Sequence, residues 1–280
     1  MTADEPTTVS PDGDPPVKID TTVAHQARIY NYLLGGKDNF TVDREAADRA
    51  IEAFPGLAVW ARNNRAFLGR AVRYLMAEAG VQQFLDIGTG LPTANNTHEV
   101  AQRIEPTARV CYVDNDPIVL THARALLTSH PAGVTDYVHA NFQNPDRILG
   151  EAACMLDFSQ PIAVMLLAIL HVIQASEDPS KDPYQIVSRI MDAMPAGSFL
   201  VISHPASDIN PEQAAEIARR FNQRLGSVQS AGRSQEQVAR FFTGLDLVPP
   251  GIVTTPQWRP EPGSLPPDPD PAYAGVARKP

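Results

Sequence analysis

The apolar run Phe84-Leu85-Asp86-Ile87, ending in Gly88-Thr89-Gly90, constrains this chain more than any other stretch. Its first half reads as a buried strand, and the abrupt passage to Gly-x-Gly reads as a tight turn where a ligand lies against bare backbone. Asn95, Asn96 and Thr97 offer capping oxygens ahead of His98 to Ile104, so a helix is expected next. Strand, glycine turn and helix N-terminus place backbone N–H groups at the carboxyl edge of a parallel sheet, where open α/β sheets bind ligands. Arg109 to Asp114 reads as the second strand, and Asp114 ends it. A carboxylate there can accept two hydrogen bonds from a ribose diol.

Two cofactor classes use such a geometry. A dinucleotide site wants a third glycine at position 93 for the pyrophosphate, and this chain has Pro92-Thr93. S-adenosylmethionine carries no phosphate, and Asp86 then acquires a purpose: it can hold the ammonium end of the methionine moiety, directly or through water. At these residues the chain resembles the Rossmann-like methyltransferases, in which Asp114, followed by Asn115, corresponds to the ribose acid. A closer resemblance is to an actinobacterial family of S-adenosylmethionine-dependent methyltransferases long catalogued as a domain of unknown function. It extends from about Arg28 to the C-terminus and is carried by Ala27-Arg28-Ile29-Tyr30-Asn31-Tyr32-Leu33-Leu34-Gly35-Gly36-Lys37-Asp38-Asn39-Phe40, by Asp86 to Thr93, and by Tyr112-Val113-Asp114-Asn115-Asp116-Pro117. The first of these is specific to that family; the others belong to the superfamily.

The resemblance implies an α/β fold: a seven-stranded methyltransferase sheet, mostly parallel with an antiparallel last strand, helices on both faces and an N-terminal helical cap. It also implies that Asn141-Phe142, after the third strand, brackets the adenine, with the Asn141 amide oxygen where an aspartate is commoner. Ala168-Ile169-Leu170-His171, just past the fourth strand, would lie beside the transferable methyl group. His171 is therefore the candidate general base, weighed against an ordinary structural histidine. His98 can face the same cleft from the first helix of the sheet unit, while the other histidines have weaker positional arguments. Arg65, Tyr30, Tyr32 and Lys37 are candidates for the cofactor carboxylate or the substrate.

Along the chain, residues 1 to 20 are proline-rich and acidic and read as a flexible tail. Residues 21–80 read as a cap or lid of three helices, broken at Gly35-Gly36 and Pro55-Gly56, with Gly36 to Phe40 as the segment that closes over the cofactor. The core occupies 81–280: strands at 134–140, 162–167, 198–203, near 247–253 and at 272–278, and helices at 116–127, 186–194, 211–225 and 234–242. Pro256 to Pro271 is too proline-rich to pair within a sheet.

Composition narrows the function further. A net charge of −9 without a dense Lys/Arg run gives a nucleic-acid backbone little to bind. Cys111 and Cys154 lack metal-ligand spacing, and no metal is expected. The acidic start lacks the regions of a signal peptide, and the apolar run from Pro161 to Ile173 is too short to span a membrane. These features point to a cytoplasmic protein acting on a small-molecule acceptor, with no membrane or nucleic-acid partner. Two other readings remain open at this level: a non-catalytic S-adenosylmethionine-binding regulator or scaffold, and an NAD(P)-dependent oxidoreductase, which Thr93 and Asp86 oppose.

Overall fold

A computed structural model describes residues 20–126, 129–222, 230–261, 263 and 270–280. The expected tail, apart from residue 20, and parts of the 211–225 helix and of the proline-rich connection lie outside these residues.

Three helices open the chain: α1 (Gln26–Leu33), α2 (Thr41–Ala53) and α3 (Leu57–Ala77). They share a small apolar core of their own, with Ile29, Leu33, Ala47, Ala50, Leu57 and Trp60 buried together. Then come β1 (Gln83–Ile87), α4 (Thr97–Ile104), β2 (Arg109–Asp114), α5 (Pro117–Leu126), β3 (Val134–His139), α6 (Pro145–Ala152), β4 (Ala163–Leu167), α7 (Pro183–Asp192), β5 (Phe199–Pro205), α8 (Pro211–Asn222), α9 (Gln235–Ala239), β6 (Asp246–Leu247), β7 (Val253–Thr254) and β8 (Ala272–Arg278). Helix α6 is absent from the sequence reading, although Asn144 caps it with its side chain and Pro145 stands at a permitted first-turn position.

The strand order is β3-β2-β1-β4-β5-β8-β6, with β7 also on β8. Strands β1 to β5 pair in parallel, and β8 runs antiparallel to β5, β6 and β7. The expected sixth strand is thus two short pieces. Pro249 and Pro250 have no N–H to give to a ladder, and the chain leaves the sheet between Leu247 and Val253.

Side-chain alternation sorts the strands between two cores. Leu85, Ile87, Cys111 and Val113 face a core shared with Ile148 of α6 and Ile186 and Ile190 of α7. Phe84, Val110 and Tyr112 face the opposite core with Phe67, Leu75 and Trp258. A strand buried on both faces has no polar side, which is why Ala163 to Leu167 is apolar throughout. The same alternation turns Asp86 toward the α3 face at the carboxyl edge. Over that edge sits the cap, with α2 packed on α8 as well as on α1.

Candidate active site

The chain leaves β1 through Gly88 and Gly90, both at positive φ (77° and 66°). A Cβ at Gly88 would overlap the Ile169 side chain, so only glycine lets this turn pass beneath the loop after β4. Gly88 N–H donates to the Val113 carbonyl at 2.8 Å, and Gly90 N–H donates to Asp114 Oδ2 at 2.8 Å. Asp114 Oδ1 accepts from the Asp116 N–H at 2.9 Å. Two backbone donors thus orient this carboxylate and leave each oxygen a further acceptor direction. Burial raises its pKa, against the lowering effect of those two bonds and of His25.

Asp86 is buried, and its Oδ2 accepts from Thr97 Oγ at 2.6 Å. Burial pushes its pKa up to about 6; the Thr97 bond and the Arg65 charge oppose that rise, and the Asp114 charge adds to it. A carboxyl group in that state gains strongly from a cationic partner.

A cavity of about 750 Å³ opens above this edge. Asp86, Gly88, Thr89, Gly90, Asp114, Asn115, Asn141, Phe142, Ala168 and His171 all line it. Asn141 is exposed, and its Oδ1 accepts from the Gln143 N–H at 2.9 Å, whereas Phe142 is buried in the sheet core below. Tyr30 and Arg65 also reach the wall. Tyr32 and Lys37 do not line it, and Tyr32 Oη instead donates to Asp48 at 2.9 Å. His98 is likewise outside the lining: its backbone N–H and its Nδ1 both meet Tyr112 Oη at 2.9 Å.

The cap's contribution differs from the expectation. Gly36 to Phe40 supplies no cavity wall; Asn31 Oδ1 accepts from the Asp38 N–H at 3.1 Å and from Asn39 Nδ2 at 3.0 Å, which folds that loop back on α1. The segment over the site is Ala24 to Ala27 with Ile29, Tyr30 and Leu33. It is tied to the sheet edge by His25 Nδ1 and Asp116 Oδ2, 2.9 Å apart.

Two buried networks that local sequence signals do not announce complete the wall. Ala168, at φ 52°, donates its N–H to the Ser203 carbonyl and to Ser203 Oγ, at 3.1 and 3.0 Å. Ser203 Oγ donates to Asn64 Oδ1 at 2.6 Å, Asn64 Nδ2 to Tyr30 Oη at 2.9 Å, and Tyr30 Oη to the Ala61 carbonyl at 3.0 Å. The junction after β4 is thereby bonded to α3 and α1. In the second network Arg233 donates to the carbonyls of Leu170 (2.7 Å) and Ile173 (2.8 Å) and to His204 Nε2 (2.6 Å), pinning the helical turn Leu170–Val172. His171 in that turn has Nε2 at 3.1 Å from Gln26 Oε1 and a buried Nδ1 with no partner. Burial, and then the Arg233 charge, push its pKa down to about 4.

The site discriminates between the two cofactor classes. Several N–H groups leading into α4, where a pyrophosphate would dock, are already engaged: Thr93 on Asn96 Oδ1 (3.1 Å), Asn95 on Glu99 Oε2 (2.8 Å) and His98 on Tyr112. A phosphate there would also face the Glu99 carboxylate. A ligand with an ammonium group and a ribose diol suits Asp86 and Asp114.

Fold and site together define a Rossmann-like S-adenosylmethionine-dependent methyltransferase. The chain belongs to the family whose model is described as S-adenosyl methyltransferase and matches residues 12–280. A protein of the family designated DUF574 from Streptomyces avermitilis MA-4680 is 42% identical, with a TM-score of 0.86 over 94% of this chain and 100% of the other. A candidate methyltransferase from Thermobifida fusca YX is 42% identical, with a TM-score of 0.83 over 93% of this chain and 96% of the other. The plantazolicin methyltransferase BpumL, solved with S-adenosylhomocysteine, shares the fold at 11% identity, with a TM-score of 0.52 over 91% and 95% of the two chains. No curated protein matches the sequence. Among the described residues no helix is long and apolar enough to cross a membrane.

Proposed function

We propose that the protein methylates a small molecule held between the cap and the carboxyl edge of the sheet. The observation that carries this reading is that one cavity runs from the Gly88–Gly90 turn and Asp114 to Trp60, His171 and α8. In this reading Asp114 receives the ribose hydroxyls, the turn at Gly88 to Gly90 lies along the cofactor, Asn115, Asn141 and Phe142 flank the adenine, and Asp86 receives the ammonium group. Arg65 serves the methionine carboxylate. The cofactor, when bound, supplies an electrophilic methyl group on a sulfonium. The chain's own task is to align the acceptor, exclude water and manage the acceptor's proton.

His171 lines the acceptor side near Ala168. With its pKa near 4 it is neutral at ordinary pH and a weak proton acceptor, which suits an orienting role better than that of general base. That same weakness favours, as second reading, a protein that binds the cofactor without catalysis. Melting curves with S-adenosylmethionine, S-adenosylhomocysteine, NAD and NADP test the cofactor half: the first two should raise the midpoint and the nucleotides should not. Incubation with S-adenosylmethionine and a small-molecule extract, read by mass spectrometry, tests the chemistry. A methylated product supports transfer, and its absence with a stabilised protein supports the second reading.

A further inference from the structure

We infer that the methyl acceptor is an apolar or aromatic molecule carrying an acidic oxygen, a phenol or a carboxylic acid, and that it binds as its anion beside Gln26. The inference rests on the methyltransferase reading above and concerns the half of the cavity away from Asp86 and Asp114. Those two are the only acids among the described lining residues, and both lie at the cofactor edge. Leu57, Trp60 and Ile217 give the remaining wall apolar and aromatic surface, Asn210 and Gln213 add neutral polar groups, and Lys181 adds a cation. An ammonium substrate would find no carboxylate there to replace its hydration.

Positive charge is buried behind the same wall. Arg233 is 8% exposed, and no ion pair of its guanidinium occurs among the described residues; carbonyls and the His204 ring hold it, with the Tyr184 and Phe241 rings against it. The groups around His171 are Gln26 from α1, His204 from β5 and Arg233, of which only Arg233 carries charge at neutral pH. A buried cation without a direct carboxylate partner among the described residues, with Asp182 acting on it only through its charge, favours an anionic occupant of the chamber above.

Hydrogen bonding fixes where that anion goes. His171 Nδ1 is buried without a partner, so the proton belongs on Nε2, where Gln26 Oε1 accepts it; a bare lone pair costs less there than an orphaned N–H beside a cation. With its oxygen taken, Gln26 has its amide N–H₂ left as donor, and Gln26 lines the cavity. His171 is then a positioning residue acting through Gln26. An acceptor that arrives deprotonated has left its proton in solvent and needs no base. Its oxygen lone pair forms the O–CH₃ bond while the C–S bond of the sulfonium breaks and that pair stays on sulfur, giving an ether or ester and S-adenosylhomocysteine.

The test uses the full-length protein saturated with S-adenosylhomocysteine and one matched set of probes, 2-naphthoate, 2-naphthol and 2-(aminomethyl)naphthalene, with affinities from ligand-observed NMR. The naphthoate should bind at least tenfold tighter than the amine, with the naphthol between them and strengthening as pH rises toward its own ionisation. Gln26→Glu, which adds a carboxylate to the chamber, should reverse the order of acid and amine while S-adenosylhomocysteine affinity stays within about threefold. Equal or tighter binding of the amine by the wild-type protein overturns the inference, as does failure of all three probes to bind. Failure of S-adenosylhomocysteine itself to bind would instead refute the methyltransferase reading, so the two failures are distinct.

Discussion

If Asp86 receives the ammonium group, as proposed, cofactor affinity depends on pH in a calculable way. In the free protein its carboxyl is raised to about 6 by burial, so below that pH it is protonated and offers no charge to an ammonium group. A cationic partner pulls the proton off, and binding at low pH must therefore include the cost of ionising Asp86. With a pKa of 6, the ionised fraction falls from about nine-tenths at pH 7 to about one-tenth at pH 5. Apparent affinity should then fall about tenfold over that interval, or roughly 1.4 kcal/mol, and be flat from pH 7 to 8. Titration calorimetry with S-adenosylhomocysteine measures it directly, because this ligand keeps the ammonium group and is inert. Asp86→Asn retains an acceptor for Thr97 Oγ and removes the ionisation, so its affinity should be lower at pH 7 and nearly independent of pH. The variant without cofactor should also melt higher at pH 7: a carboxyl whose folded pKa lies above the ordinary 3.8 loses stability as pH rises through about 6, and the amide has no such loss. A pH-independent wild-type affinity, or the same slope in the variant, would refute the placement of the ammonium group on Asp86.

The remaining predictions are shorter. Asp114→Ala removes one or two hydrogen bonds to a diol, and calorimetry should show cofactor affinity reduced by about 5- to 150-fold; no change would exclude the ribose assignment. Gly88→Ala forces a Cβ into Ile169 at a positive φ, so the melting midpoint should drop even without cofactor, by the equivalent of about 1–3 kcal/mol; an unchanged midpoint would mean that the turn relaxes freely. His171→Ala should lower turnover on an identified acceptor with cofactor affinity kept within about twofold. If His171 acts by orientation, the variant's pH–rate profile should keep its wild-type shape between pH 5 and 8, while loss of a titration there would restore it as a base. Hydrogen exchange should show amides of α1 gaining protection when S-adenosylhomocysteine binds, and those of Gly36 to Phe40 gaining less, because that loop does not line the cavity; the opposite order would return the lid role to the loop.

The proposed cofactor half of the site rests on signals that are local. A run of apolar residues, an acid and two glycines within seven positions fix a strand, a turn and the direction of a helix; Asp114 needs only the next strand's end. Strand-length apolar segments mark the strands themselves, while the antiparallel direction of the last one is what the family resemblance implies. Where the reading went astray, two effects of comparable size competed at close range. Gly35 and Gly36 look like a hinge, but the space against Asn31 requires a glycine at 36, and the amide of Asn31 then ties the loop down. Tyr112 Oη captures His98 in the same manner, since a buried ring nitrogen and a buried hydroxyl satisfy each other more cheaply than either satisfies a distant ligand.

Of the proposed acceptor half only the Ala168 to His171 junction carries a sequence signal, and the reason is distance along the chain. Gln26 meets His171 across 145 positions, Asn64 meets Ser203 across 139, and Arg233 reaches Leu170 across 63. Gln26, Asn64 and Arg233 sit in no pattern of their own; a lone glutamine, asparagine or arginine on a helix or loop reads as solvated surface. Their roles exist only once the cap has docked on the sheet, and that docking itself depends on the chain from Ala168 through Ser203 and Asn64 to Tyr30. On the proposed function, cofactor recognition resides in short contiguous segments, whereas acceptor recognition is spread over α1, α3, α8 and two loops. A substitution such as Gln26→Glu can change what enters the chamber without touching Gly88, Gly90 or Asp114, so two members of this family with the same cofactor residues need not share an acceptor. Residues 26, 60, 171 and 233 are the positions at which such members should be compared first.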